Sequence, residues 1–130
     1  MNKETASAVR VLVVEDQPDL MEVFITLLEM DGALVLKASN YNEALEIAEN
    51  NEIDIVLTDF RMPGMHGLYL LDMIKHKHPD MPVILMTAYL DDALAANARR
   101  LGVDYILAKP FEYSELFKAI RKLLRKKWQE

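Results

Sequence analysis

Residues 9–18 read VRVLVVEDQP. The first six, Val9–Val14, are rich in β-branched residues and read as a buried strand. The run stops at two acids, Glu15 and Asp16, and a helical pattern follows. Leu20, Val23, Phe24, Leu27 and Leu28 recur at helical spacing up to Met30, and Asp31-Gly32 closes that helix. A buried strand that ends on charge and turns into an amphipathic helix is half of a βαβ unit.

The same unit repeats along the chain. Further strands are expected at Ala33–Leu36, Ile53–Thr58, Pro82–Met86 and Asp104–Leu107. Helices are expected at Ser39–Asn50, Leu68–Lys77, Asp91–Leu101 and Glu112–Lys127, with Met62-Pro63-Gly64 as a break before the third and Gly102 closing the fourth. Ala44, Leu45, Ile47 and Ala48 mark the inner side of the second helix. Leu116, Phe117, Ile120, Leu123 and Leu124 mark that of the last. Five strands alternating with five helices imply an α/β fold: a parallel sheet covered on both faces, a three-layer (βα)5 sandwich. With right-handed crossovers the expected topology is doubly wound and flavodoxin-like, with strand order 2-1-3-4-5.

The chain has 130 residues, 52% of them apolar, and a formal charge of −6. That length suits one domain with one core. Residues 9–128 are read as that domain and Met1–Ala8 as a flexible tail. The acidic balance argues against broad nucleic-acid binding. There is no cysteine, so disulfides and thiolate zinc sites are excluded. No apolar run approaches the ~20 residues that span a bilayer. His66, His76 and His78 lack ligand spacing and read as surface residues. The eight methionines read mostly as core filler.

In an open parallel sheet, ligands gather outside the carboxyl ends of the strands. Four of the five strands end on, or lead into, a polar residue there: Glu15-Asp16, Thr58-Asp59, Thr87, and Lys109-Pro110. Each alone has an ordinary reading, as a helix cap, a turn residue or a solvated lysine. Together they place three carboxylates, a hydroxyl and an ammonium at one edge. Clustered carboxylates repel, and a divalent cation would compensate them. Oxygen ligands without His or Cys suit Mg²⁺. An aspartate can act as a nucleophile toward phosphorus, with a lysine and a hydroxyl steadying the anionic oxygens.

VLVVEDQP (Val11–Pro18), LTDFRMPGMHGL (Leu57–Leu68), VILMTAY (Val83–Tyr89) and DYILAKPF (Asp104–Phe111) together resemble the motif set of response-regulator receiver domains, the chemotaxis-receiver-like modules of two-component signalling. The resemblance spans roughly Arg10–Lys127. It implies that Asp59 is the phosphoacceptor, receiving its phosphoryl group from a sensor histidine kinase or a histidine phosphotransfer protein. Asp16 would bind Mg²⁺ (or Mn²⁺) directly, and Glu15 would act on the metal through water. Asp59 and the Arg61 backbone carbonyl would complete the protein ligands. Thr87 and Lys109 would stabilise the phosphoryl group, Thr87 and Tyr105 would form the switch, and the Lys109-Pro110 bond would be cis. His66 departs from the acid more usual at its position. Arg61 and Tyr89 occupy positions that similar domains use to limit water access.

The resemblance further implies a cytoplasmic signalling switch rather than an enzyme with an external substrate. The surface of the fourth helix, fifth strand and fifth helix would bind a second copy or an output partner. Ala95, Ala98, Arg99 and the basic face of the last helix are expected there; Lys118, Arg121, Lys122, Arg125, Lys126 and Lys127 read first as a solvated face with cations near the helix C-terminus and alternatively as a docking surface, with Trp128 as a cap or a contact. A phosphorelay intermediate is an alternative. An aspartyl-nucleophile phosphatase is a weaker one, because Arg61 stands where such enzymes carry a second aspartate. No direct DNA or membrane binding is expected of this chain, and a DNA-reading output would lie outside it.

Overall fold

The computed structural model describes residues 9–62 and 65–128. The expected tail and the Pro63-Gly64 break lie outside the described residues, as do the side chains of His66, Lys126, Lys127 and Trp128. Five strands, β1 (Arg10–Val14), β2 (Leu34–Ala38), β3 (Ile55–Asp59), β4 (Val83–Thr87) and β5 (Tyr105–Ala108), form one parallel sheet in the order β2-β1-β3-β4-β5. Helices α1 (Pro18–Met30), α2 (Tyr41–Asn50), α3 (Gly67–Lys77), α4 (Asp92–Arg100) and α5 (Tyr113–Trp128) cross between them. This is the doubly wound, flavodoxin-like arrangement expected from the alternation of apolar runs.

The strand composition explains the layering. β3 and β4 are buried at every position, so both faces of the sheet centre must be covered. Side chains alternate along each strand. Val11 and Val13 of β1, with Leu57, Ile84 and Met86, pack against Phe24 and Leu28 of α1 and Leu116, Ile120 and Leu124 of α5. Leu12 and Val14, with Val56 and Leu85, pack against Tyr41 and Ala44 of α2, Leu70, Leu71 and Ile74 of α3, and Ala98 of α4.

Several boundaries shift by a residue or two. Ser39 and Asn40 precede α2 rather than belonging to it: the Asn40 side chain caps the helix by accepting from Glu43 N at 2.8 Å, and Glu43 in turn accepts from Ser39 N at 2.8 Å. Val23, expected inside, is 42% exposed, and Met21 takes its place in the core. Ala95 and Ala98 are buried, so neither lies on the exposed surface of α4, whereas Arg99 does. Gly32 and Gly102 close α1 and α4 with φ of 94° and 96°, a region that favours glycine.

The chain turns at Phe60 after β3. Arg61–Met62 pairs antiparallel with Met65–His66, and α3 begins at once with Gly67. Gly67 N donates to Phe60 O at 2.9 Å. A Cβ at Gly67 would stand 2.7 Å from Phe60 O and 2.8 Å from Phe60 Cα, both rigid backbone atoms. Gly67→Ala should therefore destabilise the fold by about 2 kcal/mol, in the range of overpacked cores. Urea denaturation monitored by circular dichroism measures this, and an unchanged midpoint would contradict the tight approach.

Candidate functional site

Register brings the polar strand ends together. Val14 pairs with Ala38 and Thr58, Asp59 with Met86, and Thr87 with Ala108. The ladders continue past the strands: Glu15 N donates to Ala38 O at 3.0 Å, Phe60 N to Met86 O at 2.7 Å, and Lys109 N to Thr87 O at 2.7 Å. Glu15, Asp59, Thr87 and Lys109 thus sit on backbone that is itself hydrogen-bonded to a neighbouring strand or its extension.

Asp59 is 7% exposed, and its carboxylate is in direct ion-pair contact with Lys109 Nζ from 50 residues away. The Lys109-Pro110 peptide is cis. Glu15 is 2% exposed. Its Oε2 accepts from Gln17 N at 3.2 Å, whereas Oε1 is buried with no hydrogen-bond partner among the described residues. Burial pushes the Glu15 carboxyl above the ordinary glutamate range. The Gln17 amide opposes that shift, Asp59 reinforces it, Lys109 opposes it, and Asp16 adds a final upward push. Asp16 is half-buried and does not cap α1, where Gln17 holds the cap position without a side-chain hydrogen bond. A groove of about 620 Å³ opens beside Glu15 and Asp16, and its walls carry Asp19, Glu22, Glu43 and Glu46 with Lys37.

Thr87 is buried, and its Oγ1 accepts from Tyr89 N at 3.0 Å, which leaves the hydroxyl proton for another acceptor. Tyr105 is half-buried and packs on the apolar layer shared by α1 and α5. The Arg61 guanidinium lies over the Tyr89 ring, 4.7 Å from its centroid. Two further hydroxyls meet at this edge: that of Thr58, named from sequence as a strand end but given no role, and that of Tyr41, not singled out. Thr58 Oγ1 donates to Asp59 O at 3.1 Å, and the Tyr41 hydroxyl donates to Asp59 O at 3.3 Å and Phe60 O at 3.2 Å. Burial, then Asp59, Asp16 and Glu15, hold the Tyr41 phenol well above the ordinary tyrosine value, so it remains a donor at neutral pH. A buried phenol needs a polar partner, but nothing in the sequence marked Tyr41 as buried, so that requirement gave no signal there.

The donor set fits Mg²⁺. The partnerless Glu15 oxygen and the neighbouring Asp16 and Asp59 supply hard, anionic oxygens. Among the described residues no three His, Cys, Asp or Glu side chains lie close enough to hold a metal by themselves. An ion that keeps several waters and takes a backbone carbonyl suits such an open set. His76 is exposed in the last turn of α3, and His78 is half-buried just after it.

The response regulator receiver domain family model matches residues 11–121. The DNA-binding transcriptional regulator NtrC of Salmonella typhimurium is 40% identical over 105 residues, which are 81% of this chain and 22% of NtrC. The response regulator protein FleR of Pseudomonas aeruginosa is 37% identical over 81% of this chain and 22% of FleR. The chain thus spans under a quarter of the length of these relatives. A receiver domain protein from Clostridium thermocellum superimposes with a TM-score of 0.86 at 36% identity, covering 92% of this chain and 96% of that one. TrrA of Thermotoga maritima, solved in complex with Mg²⁺-BeF, gives 0.81 at 33% identity, covering 89% and 99%. The chain belongs to the response-regulator receiver family. It is a receiver domain of the two-component type. Among the described residues no helix is long and apolar enough to cross a membrane.

The raised Glu15 pKa has a definite pH signature. The folded state favours the protonated carboxyl, so the penalty is absent below the unfolded value, about 4.3, and grows as pH rises through the folded one. In metal-free buffer, Glu15→Gln should raise the urea midpoint near neutral pH, and the gain should shrink toward about pH 4. A gain that is constant with pH, or larger in acid, would show that Glu15 is not held with a raised pKa.

Proposed function

We propose that the domain accepts a phosphoryl group on Asp59 and uses it to shift the surface of α4, β5 and α5. The observation that carries this reading is the Asp59–Lys109 ion pair beside the buried, partnerless Glu15 oxygen. An Asp59 oxygen attacks phosphorus in line. The bond to the donor breaks, and when the donor is a phosphohistidine the leaving imidazole nitrogen takes the electron pair and then a proton. Lys109 is already tethered to Asp59 and stays beside the transferred oxygens. Thr87 offers its hydroxyl proton to one of them.

Asp16, Asp59 and the Arg61 carbonyl would hold Mg²⁺, with Glu15 acting through water. When bound, the ion neutralises charge on the phosphoryl oxygens and on the acids around Asp59. The Arg61–Tyr89 stack lies two residues beyond Asp59 and Thr87 on each side, and it narrows the approach of water to the phosphoryl group. The donor class is a sensor histidine kinase or a histidine phosphotransfer protein, and the receiving partner is an output domain or a second copy. The lack of cysteine suits a reducing, cytoplasmic setting.

Intact mass spectrometry after treatment with a small phosphodonor and Mg²⁺ tests the chemistry. Wild type should gain one phosphoryl group, and Asp59→Ala none. Asp16→Ala should label at least about tenfold more slowly through the loss of a metal ligand, and Glu15→Ala should lose less. Labelling of Asp59→Ala at the wild-type level would remove the assignment.

The switch has a separate test. Phosphorylation draws the Thr87 hydroxyl toward the new oxygens and opens space into which Tyr105 moves. The shift is driven by the differential stability of the two arrangements with phosphate present. With the phosphate mimic beryllofluoride, NMR shifts of Tyr105 and of α4 amides should move in wild type and stay largely in place in Thr87→Ala. Changes confined to residues touching Asp59 in wild type would sink the switch while leaving the chemistry intact.

A further inference from the structure

Tyr41 is the first residue of α2, placed there by the Asn40 cap, and it is 2% exposed. Its ring belongs to the apolar layer with Leu12, Val14, Leu70 and Leu71. Packing alone does not call for the hydroxyl, since a phenylalanine ring would fill the same volume. The hydroxyl instead reaches out of α2 to two successive main-chain carbonyls, Asp59 O at 3.3 Å and Phe60 O at 3.2 Å. Both distances exceed the usual O–H···O value, as for one proton shared between two acceptors.

Successive carbonyls of an extended strand point in opposite directions. Two of them can meet one oxygen only where the chain turns, and the chain bends at Phe60. Bonds on this turn from β4 and from the turn itself include Phe60 N to Met86 O, Gly67 N to Phe60 O, and Thr58 Oγ1 to Asp59 O. Tyr41 adds a tie from a different element, the helix α2 that follows β2 in the chain. The peptide it holds is the one that leads into Arg61.

We propose that Tyr41 is a positioning residue for the metal site: by clamping the Asp59 and Phe60 carbonyls it fixes the turn that presents the Arg61 carbonyl beside Asp59 and Asp16. This rests on the reading above that these groups hold Mg²⁺. Tyr41 does not touch the ion or the phosphoryl group. It reduces the number of arrangements the ligand carbonyl samples before the ion arrives, and such preorganisation appears as affinity.

Tyr41→Phe keeps the ring and removes the donor. Phe60 O retains Gly67 N, and Asp59 O retains Thr58 Oγ1, so the variant should fold. Isothermal titration of the phosphoryl-free protein with MgCl₂ should give a Kd raised roughly fivefold, the effect of one net hydrogen bond. Amide shifts of Phe60, Arg61 and Gly67 should move in the metal-free variant. With a small phosphodonor, the labelling rate should fall at low Mg²⁺ and return to the wild-type rate at saturating Mg²⁺. A purely structural phenol would lower the urea midpoint and leave the Mg²⁺ Kd unchanged, and that result overturns the proposal. A labelling rate that stays low at saturating Mg²⁺ also overturns it, because the role would then lie in the transfer itself. A wild type that takes up no Mg²⁺ would instead remove the metal-site reading, and this inference with it.

Discussion

The contact between Asp59 and Lys109 joins the end of β3 to the end of β5 at the rim of the sheet. Most of the site can be understood from what that contact does and does not neutralise. Asp59 sits at the end of a strand buried at every position, where an unpaired carboxylate would be costly. Lys109 compensates it and remains partly solvated, which lets the ammonium serve without full desolvation. One lysine cannot compensate three acids. Glu15 carries the remainder: it is buried, has a partnerless oxygen, and is pushed toward its protonated form. The ground state therefore holds an excess of negative charge in a place from which water is largely excluded, beside a groove whose walls are also acidic.

The scaffold makes this excess tolerable by fixing it rigidly. Glu15, Phe60 and Lys109 each donate a main-chain hydrogen bond to the neighbouring strand or its extension. The turn after β3 is held further by the close approach of Gly67 and by the Tyr41 and Thr58 hydroxyls. The other half of the site is less constrained. Among the described residues β5 is an edge strand paired only with β4, and its exposure pattern is mixed. Tyr105 lies on it half-buried, and Tyr89 and Leu90 at the start of the α4 connection are exposed. A rigid Asp59 beside a looser edge is the division of labour that the proposed two-state surface would require, since the chemistry needs fixed geometry and the response needs a second arrangement of similar energy.

Much of this was legible in the sequence because it follows from local pattern. Short apolar runs bounded by turn signals and alternating with amphipathic stretches read as strands, so the order of elements and the parallel sheet followed. The polar residues that interrupt those runs, Glu15, Asp16, Asp59, Thr87 and Lys109, fall at the strand ends by the same logic. What escaped depends on where elements face each other. Val23 continues the helical spacing of α1 but lies on its exposed side, because the apolar stripe runs instead through Met21, Phe24 and Leu28. Ala95 and Ala98 are too small to declare a side, and both turn inward. The Arg61–Tyr89 stack joins two loops whose approach no periodicity encodes. Tyr41 reads as one more apolar residue near a helix start, and only the hydroxyl's long-range partners reveal its second use.

The cost of the acidic edge also bears on how the domain could respond to a ligand. A site already satisfied internally would gain little from a cation or an anion, and any change would have to be driven by new contacts alone. Here the folded state crowds acids at one edge before anything binds: burial first, and then neighbouring carboxylates, push both Glu15 and Tyr41 upward. Relief of that crowding is available only in the folded state, because the unfolded chain disperses the acids into water. A cation that binds there stabilises the fold by linkage, and more strongly the more repulsion it removes. In the proposed reaction the phosphoryl group arrives as an anion at the Asp59 carboxylate, and Lys109 and Thr87 would have to turn toward it to hold it. Lys109 can do so by sliding along a bond it already makes. Thr87 lies at the end of β4, and its Oγ1 now accepts from the Tyr89 amide, so its reorientation disturbs the start of the α4 connection directly. On the proposed reading, the route from charge to surface would begin at Thr87, the site hydroxyl that accepts from the backbone leading into α4.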